Sequence, residues 1–141
     1  MAIRHSIEAQ LGLHEGTRSK LYRDSLGIYS IGTGRNLRDV GLRPDEIALM
    51  LRNDIAAAKA ALDQVAPWWR DLDEVRQKVL IDMAFNLGPK GLAGFRNTLR
   101  DIQARKYAAA AKRMLASRWA TQVGARARRL SEMMRTGEDY R

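Results

Sequence analysis

The sequence predicts an α+β protein, mainly helical, with a small N-terminal antiparallel sheet lobe joined by a long helix to a C-terminal helical bundle. Three observations carry this. Only Lys20 to Leu37 has strand texture, with Leu21, Ile28, Tyr29 and Ile31 punctuated by Asp24-Ser25, Gly27, Gly32 and Gly34. An apolar stripe at helical spacing, Ile47, Leu51, Ile55, Ala58 and Leu62, then runs from Pro44 to Pro67. Beyond Trp68-Trp69 helical spacing continues almost to the end.

A chain of 141 residues, 45% hydrophobic, is long enough for one core, and it contains no repeat or linker. A single domain is therefore expected, with the small lobe over 16–43, the connecting helix over 44–66, and the helical lobe over 67–141 plus the N-terminal helix. That first helix is read from Ile3, Ile7 and Leu11 and ends near His14 or Glu15, where Gly12 and Gly16 weaken it. Pro44 followed by Asp45 and Glu46 starts the connecting helix, because proline suits the first turn and acids oppose the positive end of the helix dipole. Breaks are expected at Leu87-Gly88-Pro89, between Gly91 and Gly94, at Arg105-Lys106 and at Gly124. Of the adjacent tryptophans, one is expected buried and the other partly exposed, and Trp119 is expected to anchor the bundle.

Composition narrows function. With no cysteine, neither disulfides nor thiolate metal sites arise, and His5 and His14 alone would need carboxylates to complete a metal site, so no metal or cofactor is expected. The opening residues lack the apolar run of a secretory signal, so the chain is expected in the cytoplasm in which it is made. A net charge of +9 points to a polyanionic partner, a class that takes in nucleic acid, anionic lipid and the bacterial cell wall alike.

The segment His14 to Gly34 reads HEGTRSKLYRDSLGIYSIGTG. It resembles the T-even phage lysozyme family (glycoside hydrolase family 24), whose pattern is E-G-x-R-x-x-x-Y-x-D followed by G-x-x-[TS]-I-G-x-G. LDEVRQKVLIDMAFNLGPKGLAGFRNTLR at 72–100, SRWATQVGARARRL at 117–130 and RTG at 135–137 resemble the same family, so the likeness spans nearly the whole chain. Between the glycine-rich turn and the connecting helix the family has a longer stretch, which here shrinks to Asp39-Val40-Gly41-Leu42-Arg43.

The resemblance implies a lysozyme-like two-lobed fold and a muramidase, cutting the β-1,4 bond between N-acetylmuramic acid and N-acetylglucosamine in peptidoglycan. That chemistry needs a proton donor for the leaving oxygen and a second carboxyl group. Glu15 is assigned the general acid, while Asp24 with the hydroxyl of Ser30, which stands in for a common threonine, holds the attacking water, with inversion at the anomeric carbon. Taken without the resemblance, Glu15 is a solvated charge at a helix end and Asp24 a turn former that caps its own backbone. Phe85, Asn86, Thr98 and Arg113 fall at substrate-cleft positions, with core packing the other reading of Phe85. Arg126 either orients the Glu15 carboxyl or is one solvated base of a basic helix. Arg35 stands where a family histidine is common, and an ion pair with Asp54 is expected.

Two further readings compete with this one. A nucleic-acid-binding protein is suggested by the tail from 105 to 141, with ten Lys or Arg against three acids, but no recognition motif or interleaved aromatics accompany it. A wall-binding relative without catalysis is opposed by intact Glu15, Asp24 and Ser30. As an enzyme the chain would serve as an endolysin, lysing the host from within once a holin-type pore opens the membrane, or as a tail-associated lysozyme at entry. Its short, unfused form favours the endolysin. A monomer is expected, as is weak contact with anionic membrane through Arg126, Arg129 and Arg135 beside Leu130, Met133 and Met134.

Overall fold

The computed structural model describes residues 2–141 and has the expected α+β, mainly helical composition. The chain divides into two compact units, one running up to Leu49 and the other from Met50 to Arg141.

In the first unit, α1 (Ile7–Glu15) starts later than the apolar spacing suggests. The Ser6 side chain accepts the amide of Ala9 at 3.1 Å, which supplies one of the orphan donors of a first turn. The helix stops at Gly16, whose φ of +73° carries the chain out of the helical region. None of its residues is buried, so Ile7 and Leu11 form no core stripe.

A three-stranded antiparallel sheet follows in the order β1 (Arg18–Arg23), β2 (Tyr29–Gly32), β3 (Arg35–Asn36). Arg18 pairs with Gly32, but Tyr22 pairs with Ser30, so β1 carries a bulge between Arg18 and Tyr22 that bends it. On β1, Arg18 lies over the ring of Tyr22 at 4.6 Å. Arg23 lies over that of Tyr29 at 4.7 Å and donates to its phenol oxygen at 2.6 Å.

Helix α2 (Pro44–Val65) opens with Glu46, three residues in, turned back to accept the backbone N–H of Arg43 at 2.8 Å.

The second unit contains the remainder of α2, a 3-10 turn at Trp69–Asp71, α3 (Glu74–Ala93), α4 (Arg96–Gln103), α5 (Tyr107–Leu115), α6 (Arg118–Val123) and α7 (Ala125–Thr136). Its core is built from Leu62, Trp69, Val79, Leu80, Met83, Leu92, Ile102, Met114, Trp119, Leu130 and Met134 among others. Trp69 is buried and its indole N–H donates to Asp63 at 2.8 Å, while Trp68 is half-buried, as expected. Helix α3 bends at Gly88, where φ is +71°, and Pro89 begins its second half without needing the lost hydrogen bond. Ser117 separates α5 from α6 by accepting the amide of Ala120, a break the apolar spacing alone did not predict.

Arg76 ties the two ends of this unit together. Its guanidinium donates to the carbonyls of Met134 and Arg135 in the last turn of α7 at 2.7 and 3.1 Å, pairs with Asp73, and lies 3.6 Å above the ring of Tyr107. It thereby satisfies carbonyls that a helix terminus leaves orphaned. Leu130, Met133 and Met134 are buried, so the apolar side of α7 belongs to the core.

Candidate active site

Glu15, the last residue of α1, reaches the glycine-rich turn that joins β2 to β3. Gly34 has a φ of +70°, and a Cβ placed on it would lie 2.7 Å from Oε2 of Glu15. Two constraints therefore demand glycine there: a left-handed backbone, and a carboxylate seated where any side chain would begin. A hydroxyl pair lies nearby, Thr17 Oγ1 to Thr33 Oγ1 at 3.1 Å, joining the residue two beyond Glu15 to the one before Gly34.

Asp24 closes the β1–β2 hairpin. Its Oδ1 accepts the amides of Leu26 and Ile28 at 2.8 and 2.9 Å, and its backbone carbonyl accepts Gly27, which has a φ of +77°. The turn-former reading of Asp24 thus describes one oxygen of its carboxylate, and Oδ2 takes no part in the turn. Ser30, at the centre of β2 between Tyr22 of β1 and Asn36 of β3, is 2% exposed, and its hydroxyl lies 3.4 Å from the carbonyl of Ile28. The hairpin fixes Asp24 and the sheet fixes Ser30, so one small element positions both.

Arg35 differs from expectation. Its Nη1 donates to Glu46 Oε1 at 2.7 Å and to the carbonyl of Gly41 at 3.2 Å, so its partner is Glu46 rather than Asp54. Glu46 lies in the first turn of α2, beside the shortened loop, whereas Asp54 is about 12 Å further along the helix at 1.5 Å per residue. The Arg35 guanidinium, with the Arg43 amide as a second donor, lowers the pKa of Glu46 to about 2.

The remaining sequence-derived positions lie in the second unit. Arg126 is engaged by Asp82 of α3, with Nε and Nη2 both 2.7 Å from Oδ1, a pairing its place in a base-rich helix did not reveal. Phe85 is 45% exposed, which removes its core reading, and it lines a small cavity of about 270 Å³ with Asp54 and Pro89. Asn86 holds the bundle together, because its Oδ1 accepts the indole N–H of Trp119 at 2.7 Å while Phe95 meets the Trp119 ring edge-on.

Thr98 and Arg113 meet in an open pocket of about 870 Å³. Thr98 is 4% exposed in its wall, and Arg113 pairs with Asp101 at 2.7 Å. Arg96, Arg100 and Arg118 also line it, giving a strongly basic cavity that individual residues of the sequence had not signalled.

A small sheet that seats a glutamate against a glycine-rich turn, followed by a helical bundle, has the layout of a glycoside hydrolase of lysozyme type. A phage lysozyme family profile matches residues 12–135, and the chain belongs to that family. It is 26% identical to Probable T4-type lysozyme 1 and 22% identical to Probable T4-type lysozyme 2 of Dictyostelium discoideum, over 94% of this chain and 95% of each relative. It is also 26% identical to the Pre-baseplate central spike protein Gp5 of Enterobacteria phage T4, over 94% of this chain and 28% of that protein. As a lysozyme its substrate is peptidoglycan.

Proposed function

We propose that the protein is a muramidase in which Glu15 protonates the leaving glycosidic oxygen and Asp24, with the Ser30 hydroxyl, holds the water that attacks the anomeric carbon. The observation that carries this is the close approach of the solvent-exposed Glu15 carboxylate to Gly34 of the glycine-rich turn, where a Cβ would stand 2.7 Å from Oε2. Asp24 binds its own hairpin through Oδ1 and keeps Oδ2 for water, so its turn-forming and catalytic roles are compatible. Delivery of water to the face opposite the leaving group gives inversion, which requires the two carboxyl groups to stand about 6.5–9.5 Å apart in the productive complex. Thr98, Arg113 and Phe85 contribute to substrate binding, and the arginines around Thr98 suit a polymer whose peptide stems carry carboxylates.

The biological setting we propose is release of progeny from within, an endolysin made in the host cytoplasm and admitted to the wall by a membrane pore. The likeness to a baseplate spike protein favours a second setting, wall opening at entry. Mass spectrometry of purified virions separates them, since only the second puts the protein in the particle.

The activity is tested by clearing of outer-membrane-permeabilised Gram-negative cells with the wild type and with Glu15→Gln, the released ends being identified by mass spectrometry. Reducing N-acetylmuramic acid ends that vanish in the variant are expected. Clearing unchanged by the substitution would overturn the assignment of Glu15.

A further inference from the structure

The exposed Glu15 carboxylate lies close against the backbone at Gly34, so what fixes that backbone matters. The turn Thr33-Gly34-Arg35 approaches Glu15 from one side, and a polar anchor secures each end of it. At Thr33 the anchor is the hydroxyl of Thr17, two residues beyond Glu15, at 3.1 Å. At Arg35 a single guanidinium nitrogen donates both to Glu46, at 2.7 Å, and to the Gly41 carbonyl, at 3.2 Å. Glu46 in turn is held by the Arg43 amide at the start of α2. The strand β3 that this anchor secures is two residues long; it pairs with β2 through Ser30–Asn36 and Ile31–Arg35, and the Leu37 amide just beyond it donates to the Tyr29 carbonyl at 2.9 Å. A ladder this short adds only modest net stability, because each backbone hydrogen bond contributes about 1 kcal/mol, so a side-chain anchor at Arg35 adds materially to it.

We propose that Glu46, acting through Arg35, is a positioning residue for the acid: the ion pair pins the Gly34 backbone against the Glu15 carboxylate and so sets the geometry in which Glu15 delivers its proton. This rests on the assignment of Glu15 given above. Glu46 touches no reacting atom. Its contribution reaches the substrate through the Arg35 side chain, the Gly34 backbone and the Glu15 carboxylate in turn. Both members of the pair are about one-third exposed or less, with side-chain exposures of 27% for Arg35 and 32% for Glu46, so the contact is partly shielded from competing water. A guanidinium serves two acceptors in fixed directions, which a lysine ammonium on a flexible stem cannot reproduce.

The test uses the full chain carrying Glu46→Gln or Arg35→Lys, assayed on solubilised peptidoglycan for kcat and KM. The Gly34 amide and Glu15 carboxyl resonances are followed by NMR in the absence of substrate. Displacing an acid by a fraction of an ångström is expected to lower kcat about tenfold with KM unchanged, since misplacement by about 1 Å can cost about a hundredfold. The Gly34 and Glu15 resonances should shift while those of Asp24 and its turn stay in place. The reciprocal exchange Arg35→Glu with Glu46→Arg should recover part of the lost kcat. A folded variant with unchanged kcat and unmoved Gly34 and Glu15 resonances overturns the proposal, as does a fall in melting temperature alone. Should Glu46→Gln fail to fold, Arg35→Lys, which keeps the charge, carries the same readouts. If Glu15→Gln itself retains activity, the acid assignment fails, and the resonances still decide whether Glu46 positions that carboxylate.

Discussion

Replacing Gly34 by alanine perturbs the site in two separable ways. Its φ of +70° is left-handed, and forcing a Cβ into that region costs about 1–2 kcal/mol. For a chain of 141 residues that is a fall in melting temperature of roughly 3–8 °C. The second effect is collision. The new methyl group would stand 2.7 Å from Oε2 of Glu15, 3.0 Å from Cδ and 3.2 Å from Cγ. The carboxylate is the flexible end of its side chain and so is the part that yields. Moving it by a good fraction of an ångström predicts a loss of about ten- to a hundredfold in kcat. Gly32 provides the control, because it has almost the same φ, +68°, and a Cβ added there would meet nothing within 4 Å. Gly32→Ala should therefore show a similar thermal penalty and keep its kcat. Calorimetry and initial rates on solubilised peptidoglycan, run below both melting transitions, would compare the pair. Equal activity losses in the two variants, or a folded Gly34→Ala enzyme with full kcat, would refute the claim that the glycine exists to seat Glu15.

Two further outcomes follow from polar contacts. Arg76→Met removes the donors to the carbonyls of Met134 and Arg135 at a site where the arginine side chain is only 13% exposed; a loss of about 2–3 kcal/mol is expected in urea unfolding at unchanged m, and a loss below about 1 kcal/mol would show that water replaces the clamp. Folding depresses the pKa of Glu46 from 4.5 to about 2, chiefly through Arg35 and then through the Arg43 amide, so its ionised form stabilises the protein fully above about pH 4.5 and that contribution is lost as the pH falls through about 2. The gap in melting temperature between the wild type and Glu46→Gln should hold steady from pH 7 to 5, narrow below pH 4.5 and close near pH 2; a gap independent of pH would mean that the carboxylate charge is not what stabilises.

Much of the fold was legible because local chemistry decided it. The proline and acids at Pro44-Asp45-Glu46 start α2, the Gly88-Pro89 pair bends α3, and Gly124 ends α6, each through backbone geometry that a few adjacent residues dictate. The adjacent tryptophans sorted themselves as expected, Trp69 entering the core with Leu62 and Trp68 packing against it half-buried. What stayed hidden was pairing across distance. Arg76 reaches a carbonyl 58 positions away, and Asn86 holds an indole 33 positions away. Neither residue differs in type or spacing from a solvated one. The start of α1 was misplaced for a local reason, since Ile3 extended an apolar spacing that the cap at Ser6 overrides.

The candidate site shows where a motif stops being informative. The pattern that includes Glu15 and Gly34 marks both positions, yet it cannot say that one exists to accommodate the other, because that relation appears only when the turn folds back on the end of α1. For Arg35 the expectation failed in an instructive way. A basic residue at that position does find an acid on α2, but the acid is chosen by reach. With only Leu37 to Arg43 between strand and helix, the first turn of α2 comes within range of β3, and Glu46, already turned back to cap Arg43, lies in the guanidinium's path. The short connection brings a capping carboxylate to the Arg35 anchor of the glycine-rich turn, which is the contact through which the start of the long helix is proposed to act on the acid.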